Sequence, residues 1–254
     1  MPFVKFSLAV ALFSAAAFAQ ECSTASLTGS YGYTINGTIT NAAGKLVTSS
    51  QVGRITFDGK GAYTGVGIST SGAKAEIGEF TGVVQIGSDC TAAAKTGTGA
   101  DATDFDLVVV NNGSDFAIVV RAGDATLAGS GTKIEGQGTC SPASLTGTFG
   151  YQGEGVVAVD GKGKSTAEIG ILTFDGKGEI KGTFSAISGG QSVRQSFTGV
   201  YALGDICYGS AAYTIGGSDY ELNFMVVNGG NQILYSELSS GYVVTGAGVR
   251  TVVK

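Results

Sequence analysis

The sequence predicts an all-β protein built from two tandem eight-stranded antiparallel up-and-down β-barrels. Three observations predict this class. The chain repeats itself at a constant offset, runs of alternating apolar and polar residues dominate it, and turn-forming residues interrupt those runs at close intervals. Glycine accounts for 43 of 254 residues and proline for only 2, against roughly 7% glycine in an average protein. So much glycine belongs to tight turns and strongly curved strands.

The first nineteen residues have the pattern of an export signal. Lys5 provides a positive charge, the apolar run FSLAVALF follows, and Ala17-Phe18-Ala19 gives the small-x-small pattern that signal peptidases cut after. A membrane anchor is the alternative, but the apolar run is shorter than the roughly 20 residues of a spanning helix. We therefore expect a signal peptide at 1–19 and a mature chain that is secreted to an extracellular or periplasmic space, without membrane insertion.

The mature chain consists of two repeats at a constant offset of 117 or 118 positions. The clearest matches pair CSTASLTGSYGY (Cys22–Tyr33) with CSPASLTGTFGY (Cys140–Tyr151), ITFDGKG (Ile55–Gly61) with LTFDGKG (Leu172–Gly178), FTGVVQIGSDC (Phe80–Cys90) with FTGVYALGDIC (Phe197–Cys207), and DLVVVNNG (Asp106–Gly113) with NFMVVNGG (Asn223–Gly230). A period this long indicates duplicated domains rather than a solenoid of short repeats. The short linker within 134–139 gives a first domain at 20–134 and a second at 135–254.

Within the first repeat, turn signals such as Asp58-Gly59 and Asn112-Gly113 separate eight candidate strands. We predict strands at 27–39, 46–57, 62–70, 74–87, 91–98, 103–110, 115–121 and 125–133. Strands joined by tight hairpins form a meander, and closing the meander into a barrel removes both exposed edges. An open sandwich of the same strands is the alternative.

The repeated DGKG stretch has three candidate explanations. A calcium loop needs several oxygen ligands at alternating positions, and here a single Asp is followed by lysine. A phosphate loop needs a longer spacing before a helix, whereas strands are predicted on both sides. A hairpin needs an Asp that bonds its own backbone and glycines at positive φ, which are present. We therefore predict hairpins at Asp58–Gly61, at Asp175–Gly178 and at the near-copy in Val159–Lys164.

Four cysteines in an exported chain predict two structural disulfides. Cys22 precedes the first strand and Cys90 follows the fourth, so in a meander both lie at the same end of the barrel. Cys140 and Cys207 repeat this geometry in the second repeat. We predict the pairs Cys22–Cys90 and Cys140–Cys207. A zinc or redox site is the weaker alternative, because the chain has no C-x-x-C motif and no histidine.

The absence of histidine also excludes Ser-His-Asp and Cys-His catalytic machinery. Glu76 and Glu79 lie three residues apart on one predicted strand, so they point to opposite faces. Glu168, aligned with Gln51 of the first repeat, and Arg54 are expected at outward-facing, solvated positions. We therefore expect no enzymatic activity, no cofactor and no metal. A formal net charge of −5 argues against nucleic acid as a partner.

A binding function is more consistent with the sequence. The interior of an eight-stranded barrel is either filled by side chains or just wide enough for one small ligand. The second repeat is richer in tyrosine than the first, so we expect a small apolar or aromatic ligand there, if either barrel holds one. The tyrosines that favour the second repeat include Tyr201, Tyr208, Tyr213, Tyr220, Tyr235 and Tyr242. The alternative is that these tyrosines simply suit strands and half-buried surfaces. The sequence does not single out individual ligand-binding residues.

One pair of equivalent strands is apolar on both faces. In FDLVVV and LNFMVV, the face that begins with Asp106 or Asn223 becomes apolar at Val108, Val110, Met225 and Val227. Apolar residues on both faces indicate that something covers the outside of the barrel. We therefore predict that the two repeats pack on each other along these strands.

The segments LTGSYGY, ITFDGKG, FTGVVQIGSDC and LVVVNNG resemble a family of secreted bacterial β-proteins without an assigned function, and the resemblance covers both repeats. The LTGxYGY opening followed by a glycine-punctuated meander is also similar to the calycin barrels of the avidin and lipocalin type. The tryptophan typical of their first strand is missing, and Tyr31 or Phe149 stands in its place. The resemblance implies the fold and export, and it carries over no functional residue.

Taken together, these features predict a secreted non-enzymatic binding protein. A structural or adhesive surface protein with filled barrels is the alternative. A single sixteen-stranded outer-membrane barrel is a third possibility, disfavoured by the cysteines and by a C-terminal RTVVK instead of an aromatic residue. The sequons Asn36-Gly-Thr38 and Asn112-Gly-Ser114 matter only if the producing cell glycosylates them.

Overall fold

The structure is a computed structural model that describes residues 21–251, except 41–43, 72–73, 100–101, 122, 124, 136–138, 160–161 and 240–241. The predicted signal peptide therefore lies outside the described residues. The described chain forms sixteen strands and short 3-10 turns. The 3-10 turns are Thr24–Ser26, Asn111–Gly113, Pro142–Ser144 and Asn228–Gly230. No helix in the described ranges is long and apolar enough to cross a membrane.

The first repeat forms a closed barrel in which each strand pairs antiparallel with the next and β8 pairs with β1. Its strands are β1 (Thr28–Thr40), β2 (Leu46–Asp58), β3 (Ala62–Ser71), β4 (Lys74–Ile86), β5 (Thr91–Thr96), β6 (Thr103–Val110), β7 (Asp115–Arg121) and β8 (Thr126–Lys133). All eight lie at the predicted positions, with small differences at their ends, because the Asp-Gly and Asn-Gly turns define where strands stop.

The second repeat closes in the same way, with β16 pairing with β9. Its strands are β9 (Thr146–Val159), β10 (Lys162–Asp175), β11 (Glu179–Ser188), β12 (Gln191–Leu203), β13 (Tyr208–Ile215), β14 (Ser218–Val227), β15 (Gln232–Ser239) and β16 (Tyr242–Arg250). The predicted fold class is confirmed. Neither the open sandwich nor a single sixteen-stranded barrel forms.

Glycine inside the strands makes room for aromatic rings. Gly182 on β11 faces the barrel interior, and a Cβ at this position would lie 2.5 Å from Cζ of Phe197 on the neighbouring strand. The equivalent Gly65 is covered in the same way by Phe80. The ring fills the space that the glycine leaves on the inner wall, which lets a narrow barrel accommodate large side chains.

The DGKG stretches between β2 and β3 and between β10 and β11 are hairpin turns, as predicted. Asp175 Oδ1 accepts backbone N–H groups from Lys177, Gly178 and Glu179 at 2.7–3.0 Å. Asp58 does the same for Lys60 and Ala62. These hydrogen bonds lower the pKa of both carboxyl groups. The third predicted hairpin includes residues 160–161, which lie outside the described residues.

One end of each barrel is closed by its N-terminal segment. Disulfides join Cys22 to Cys90 and Cys140 to Cys207, the pairing within repeats that strand parity predicts. In the second barrel the fully buried Leu145 lies at this end, and Tyr201 donates hydrogen bonds to the carbonyls of Pro142 and Leu145, each at 3.1 Å. Two disulfides are typical of an oxidising compartment.

The two barrels contact each other through different faces. In the first barrel the outer face of β1 and β2 contributes, and in the second the outer face of β14, β15 and β16. Gly32 on β1 allows the close approach, because a Cβ there would lie 2.5 Å from Val227 Cγ1 and 3.0 Å from Met225 Cβ. Val52 on β2 is fully buried and belongs to the apolar cluster of the second barrel.

Polar contacts accompany this apolar interface. Ser50 Oγ lies 2.9 Å from Ser236 Oγ, both fully buried, and Asn36 donates a hydrogen bond to Thr245. The prediction that Val108 and Val110 lie in this contact is wrong, because they are 45% and 40% exposed. Equivalent strands of the two barrels do not meet, because the first barrel uses β1 and β2 instead of β6.

Candidate functional site

The open end of the second barrel contains a cavity of about 500 Å³, within the usual range for small-molecule sites. It lies opposite the disulfide end and is bordered by the β11–β12 and β13–β14 hairpins. We call it the acidic cavity. Its lining residues include Tyr151, Glu168, Phe197, Tyr213, Tyr220 and Glu237.

Glu168 lies on the inner wall of β10. Every second residue of this strand faces inward, which places Glu168 on the same side as the buried Leu172 and Phe174. Ile169 and Ile171 face outward and are exposed. The expectation that Glu168 is outward-facing and solvated is therefore wrong, since it is only 5% exposed. The strand is apolar on both faces, so residue polarity alone gave the wrong side of the sheet.

Tyr235 holds the Glu168 carboxylate. Its hydroxyl donates to Glu168 Oε1 at 2.9 Å, although β16 and β9 lie between the two strands that carry them. Gly246 and Gly153 on these intervening strands leave the inner wall clear, since a Cβ at either position would collide with the Tyr235 hydroxyl. Burial raises the pKa of Glu168, and the hydrogen bond from Tyr235 offsets part of this effect.

Glu237 is the second buried carboxyl group in the acidic cavity. It lies on β15, is 4% exposed, and accepts a hydrogen bond from the Tyr213 hydroxyl at 2.6 Å. Burial, reinforced by the negative charge of Glu168, raises the pKa of Glu237 to about 8. The two carboxyl groups therefore resist being ionised together.

The tyrosines form the walls around this carboxyl pair. Tyr213 stacks on Phe197 with ring centroids 4.3 Å apart, and Tyr220 lies parallel to Tyr213 at 5.8 Å. Tyr151 meets Tyr235 edge to face at 5.8 Å. Burial and the nearby carboxylates raise the pKa of Tyr213 and Tyr235, so both phenols stay protonated and act as hydrogen-bond donors.

Each carboxyl group keeps acceptor capacity for a ligand. Both tyrosine hydrogen bonds end on Oε1 of the respective glutamate, and an ionised carboxylate offers about four lone-pair positions. Lys164, beside the β11–β12 hairpin, is the one cationic residue among the described residues that line the cavity. The cavity thus combines flat aromatic walls with two acidic groups.

The first barrel keeps the equivalents of Tyr151 and Phe197, which are Tyr33 and Phe80, but it lacks both carboxyl groups and the tyrosines bonded to them. Where the second repeat has Gly153, Glu168, Tyr213, Tyr220, Tyr235 and Glu237, the first has, in the same order, Ile35, Gln51, Thr96, Thr103, Ile118 and Val120. The acidic cavity is therefore a property of the second repeat alone, not of the barrel fold.

Part of this cavity is predictable from the tyrosine content of the second repeat. Three of the tyrosines named from the sequence, Tyr213, Tyr220 and Tyr235, lie together around the carboxyl groups. Tyr201 is at the closed end and Tyr208 on the outer wall, bonded to Asn223, while the Tyr242 side chain lies outside the described part of the chain.

Glu237 was missed. Two signals could have identified it: the inward parity it shares with Ile233 and Tyr235, and the apolar Val120 at its aligned position. Among the described residues, no group of three or more histidine, cysteine, aspartate or glutamate side chains could hold a metal ion.

No protein-family model and no curated protein matches this chain. Among solved structures, the chain is similar to a crystal structure of a candidate AttH protein from Nitrosomonas europaea. That match has 6% identity, covers 89% of this chain and 93% of the other, and has a TM-score of 0.27. A likeness at this level carries no inference about function, so the site has to be interpreted from its own chemistry.

Proposed function

We propose that the protein is a secreted, non-enzymatic binding protein whose acidic cavity holds a small molecule with an aromatic ring and an ammonium-type cation. The observation that carries this proposal is the buried pair Glu168 and Glu237 inside an aromatic cavity. Export is supported by the signal-like N-terminal sequence and by the two disulfides.

The electrostatics of the acidic cavity favour a ligand that carries a cationic group. Two carboxyl groups in a low-dielectric interior disfavour each other's ionised form. An ammonium group between them would reverse this effect, because an opposite charge stabilises both carboxylates. Aromatic faces such as those of Tyr213 and Tyr220 also attract cations.

The aromatic walls of the acidic cavity favour a ligand that contains an aromatic ring. Phe197, Tyr213 and Tyr220 already stack on one another, and a flat ligand extends such a stack at favourable centroid distances. A volume of about 500 Å³ leaves room for a ring with a short side chain.

Calorimetric titration with 2-phenylethylamine and its neutral analogue 2-phenylethanol tests the proposal. Ionised Glu237 is needed for the amine, so we expect its affinity to rise at least about tenfold between pH 6 and pH 8.5. The alcohol should bind more weakly at pH 8.5. Glu237→Gln should weaken the pH dependence and leave only the part due to Glu168, whereas Glu221→Gln, on the outer wall, should retain the full dependence.

The opposite pH dependence would overturn the cationic ligand. If 2-phenylethanol bound better and lost affinity as pH rose, the cavity would recognise neutral molecules through a protonated Glu237. Failure of both probes to bind at millimolar concentration would contradict the choice of an aromatic ligand altogether.

A structural or adhesive surface protein is the second candidate. The observation that favours it is a group of exposed aliphatic side chains on the outer wall of the second barrel. Ile169 and Ile171 on β10 and Val249 on β16 are 65%, 48% and 57% exposed. Ile171 and Val249 both pair with Gly150 on β9, so they are neighbours on the outer surface.

A further inference from the structure

The first barrel has a cavity of a different chemical character. Its volume is about 190 Å³, and we call it the neutral cavity, because none of the described residues that line it is charged. Its lining residues include Tyr33, Gln51, Phe57, Phe80, Phe105 and Ile118. The acidic pair of the second barrel is replaced here by Gln51 and Val120.

The hydroxyl of Tyr33 has no hydrogen-bond partner within the described residues. The side chain is 4% exposed, and burial raises its pKa, so the group remains a neutral phenol. Gly67 and Gly53 give the hydroxyl its space, since a Cβ at these positions would lie 2.5 Å and 2.9 Å from it. The Gln51 side chain is also close, because its Nε2 would lie 3.1 Å from a Cβ at Gly67.

An unpartnered buried hydroxyl is destabilising, so a partner for it would be favourable. The other tyrosine of this cavity, Tyr63, is already bonded to Thr96, with 2.6 Å between their oxygens. Tyr33 therefore provides an unpartnered hydroxyl in a cavity whose lining is mostly apolar. The nearby Gln51 amide is held by a 2.9 Å hydrogen bond to Ser69.

We propose that the first barrel binds a second ligand, a neutral single-ring molecule with one hydroxyl group, whose hydroxyl pairs with that of Tyr33. An apolar cavity of about 150 Å³ accommodates benzene, so this one has room for a ring with a short substituent. The ring would lie among Phe57, Phe80 and Phe105. This inference is independent of the ligand proposed for the acidic cavity.

The size-matched probes 4-ethylphenol and ethylbenzene test it on the full mature chain. One hydrogen bond contributes about 1 kcal/mol net, so 4-ethylphenol should bind about fivefold more tightly than ethylbenzene. Tyr33→Phe should remove this preference and leave ethylbenzene affinity unchanged within twofold. Tyr208→Phe removes a hydroxyl from the outer wall of the second barrel and should retain the preference.

A cavity-filling variant locates the binding. Thr103→Tyr introduces the residue that the second repeat has at the equivalent position, Tyr220, and should abolish binding of both probes to the first barrel together with the preference for the phenol. The proposal is overturned if neither probe binds the wild-type protein at millimolar concentration. It is also overturned if Tyr33→Phe keeps the preference for the phenol, or if Thr103→Tyr binds both probes like the wild type.

Discussion

At Glu237, burial keeps a carboxyl group protonated over a pH range in which most glutamates are ionised. Its pKa rises from the usual 4.5 to about 8. Between these values the unfolded chain has released the proton and the folded chain still holds it. Folding stability due to this group is therefore fully present below about pH 4.5 and is lost as pH rises towards 8.

We expect Glu237→Gln to remove this loss of stability. Wild-type stability should fall with pH by up to ~1.4 kcal/mol per pH unit between pH 5 and pH 8, and the variant should be flatter. Thermal melts at several pH values measure the difference, with the exposed Glu221→Gln as control. Parallel curves for wild type and Glu237→Gln would contradict the assigned protonation.

The other titratable groups that face Glu237 also affect the pH dependence of stability. Glu168 on β10 is itself shifted upward by burial, so its titration adds to the slope in the same direction. Tyr213 and Tyr235 have raised pKa values and stay neutral throughout. Tyr151 and Tyr220 are phenols at the same wall, and Lys164 is the cation beside the hairpin.

At the scale of the strand, an aromatic ring that lies over a glycine leaves no room for a side chain at that position. Gly182→Ala would place a methyl group against Phe197, and such overpacking costs about 1–3 kcal/mol. Gly78 on β4 has no neighbouring atom within 4 Å of the added Cβ, so Gly78→Ala is the matched control.

Thermal melts of the two variants should separate these cases. We expect a clearly lower melting temperature for Gly182→Ala and an unchanged or slightly higher one for Gly78→Ala, since alanine restricts the unfolded chain. Equal melting temperatures would mean that the ring over Gly182 shifts without cost.

The strands were predictable because their determinants are local. Asp58-Gly59 and Asn112-Gly113 lie between runs of alternating residues, where such pairs are strong hairpin signals, and the cysteine pairing follows from counting strands. The positions of Glu168 and Glu237 were harder, because they depend on which face of a two-sided apolar strand points inward. Counting alternate residues back from the buried Phe174 would have placed Glu168 correctly.

The contact between the barrels was the least predictable part of the fold. An apolar outer face on β14 indicates that something covers it, but not what does. The partner surface includes Gly32, which contributes by having no side chain. A hydrophobicity pattern does not identify such a position as part of an interface. Although β6 and β14 are equivalent strands, only β14 lies in the contact between the barrels.

At the scale of the whole molecule, the interface predicts different outcomes for two equivalent substitutions. Val227→Lys places a charge in a fully buried contact and should separate the barrels, which would increase the radius of gyration in small-angle scattering. Val110→Lys lies on an exposed strand face and should leave the dimensions unchanged.

Circular dichroism of both variants shows whether each barrel stays folded. Unchanged strand content with increased dimensions in Val227→Lys indicates separation rather than unfolding. Compact scattering from that variant would refute the interface, because lysine cannot be buried against Gly32 without a partner charge.

The hydrogen bond from Asn36 to Thr245 has a consequence for recombinant production. In a eukaryotic secretory pathway, an oligosaccharide attached to Asn36 would occupy the surface on which the later-synthesised second barrel must dock. Asn112, at the surface of a 3-10 turn, could carry the same sugar without obstruction. A bacterial host, or an Asn36→Gln gene for yeast or mammalian cells, is therefore the appropriate source of material for crystallisation.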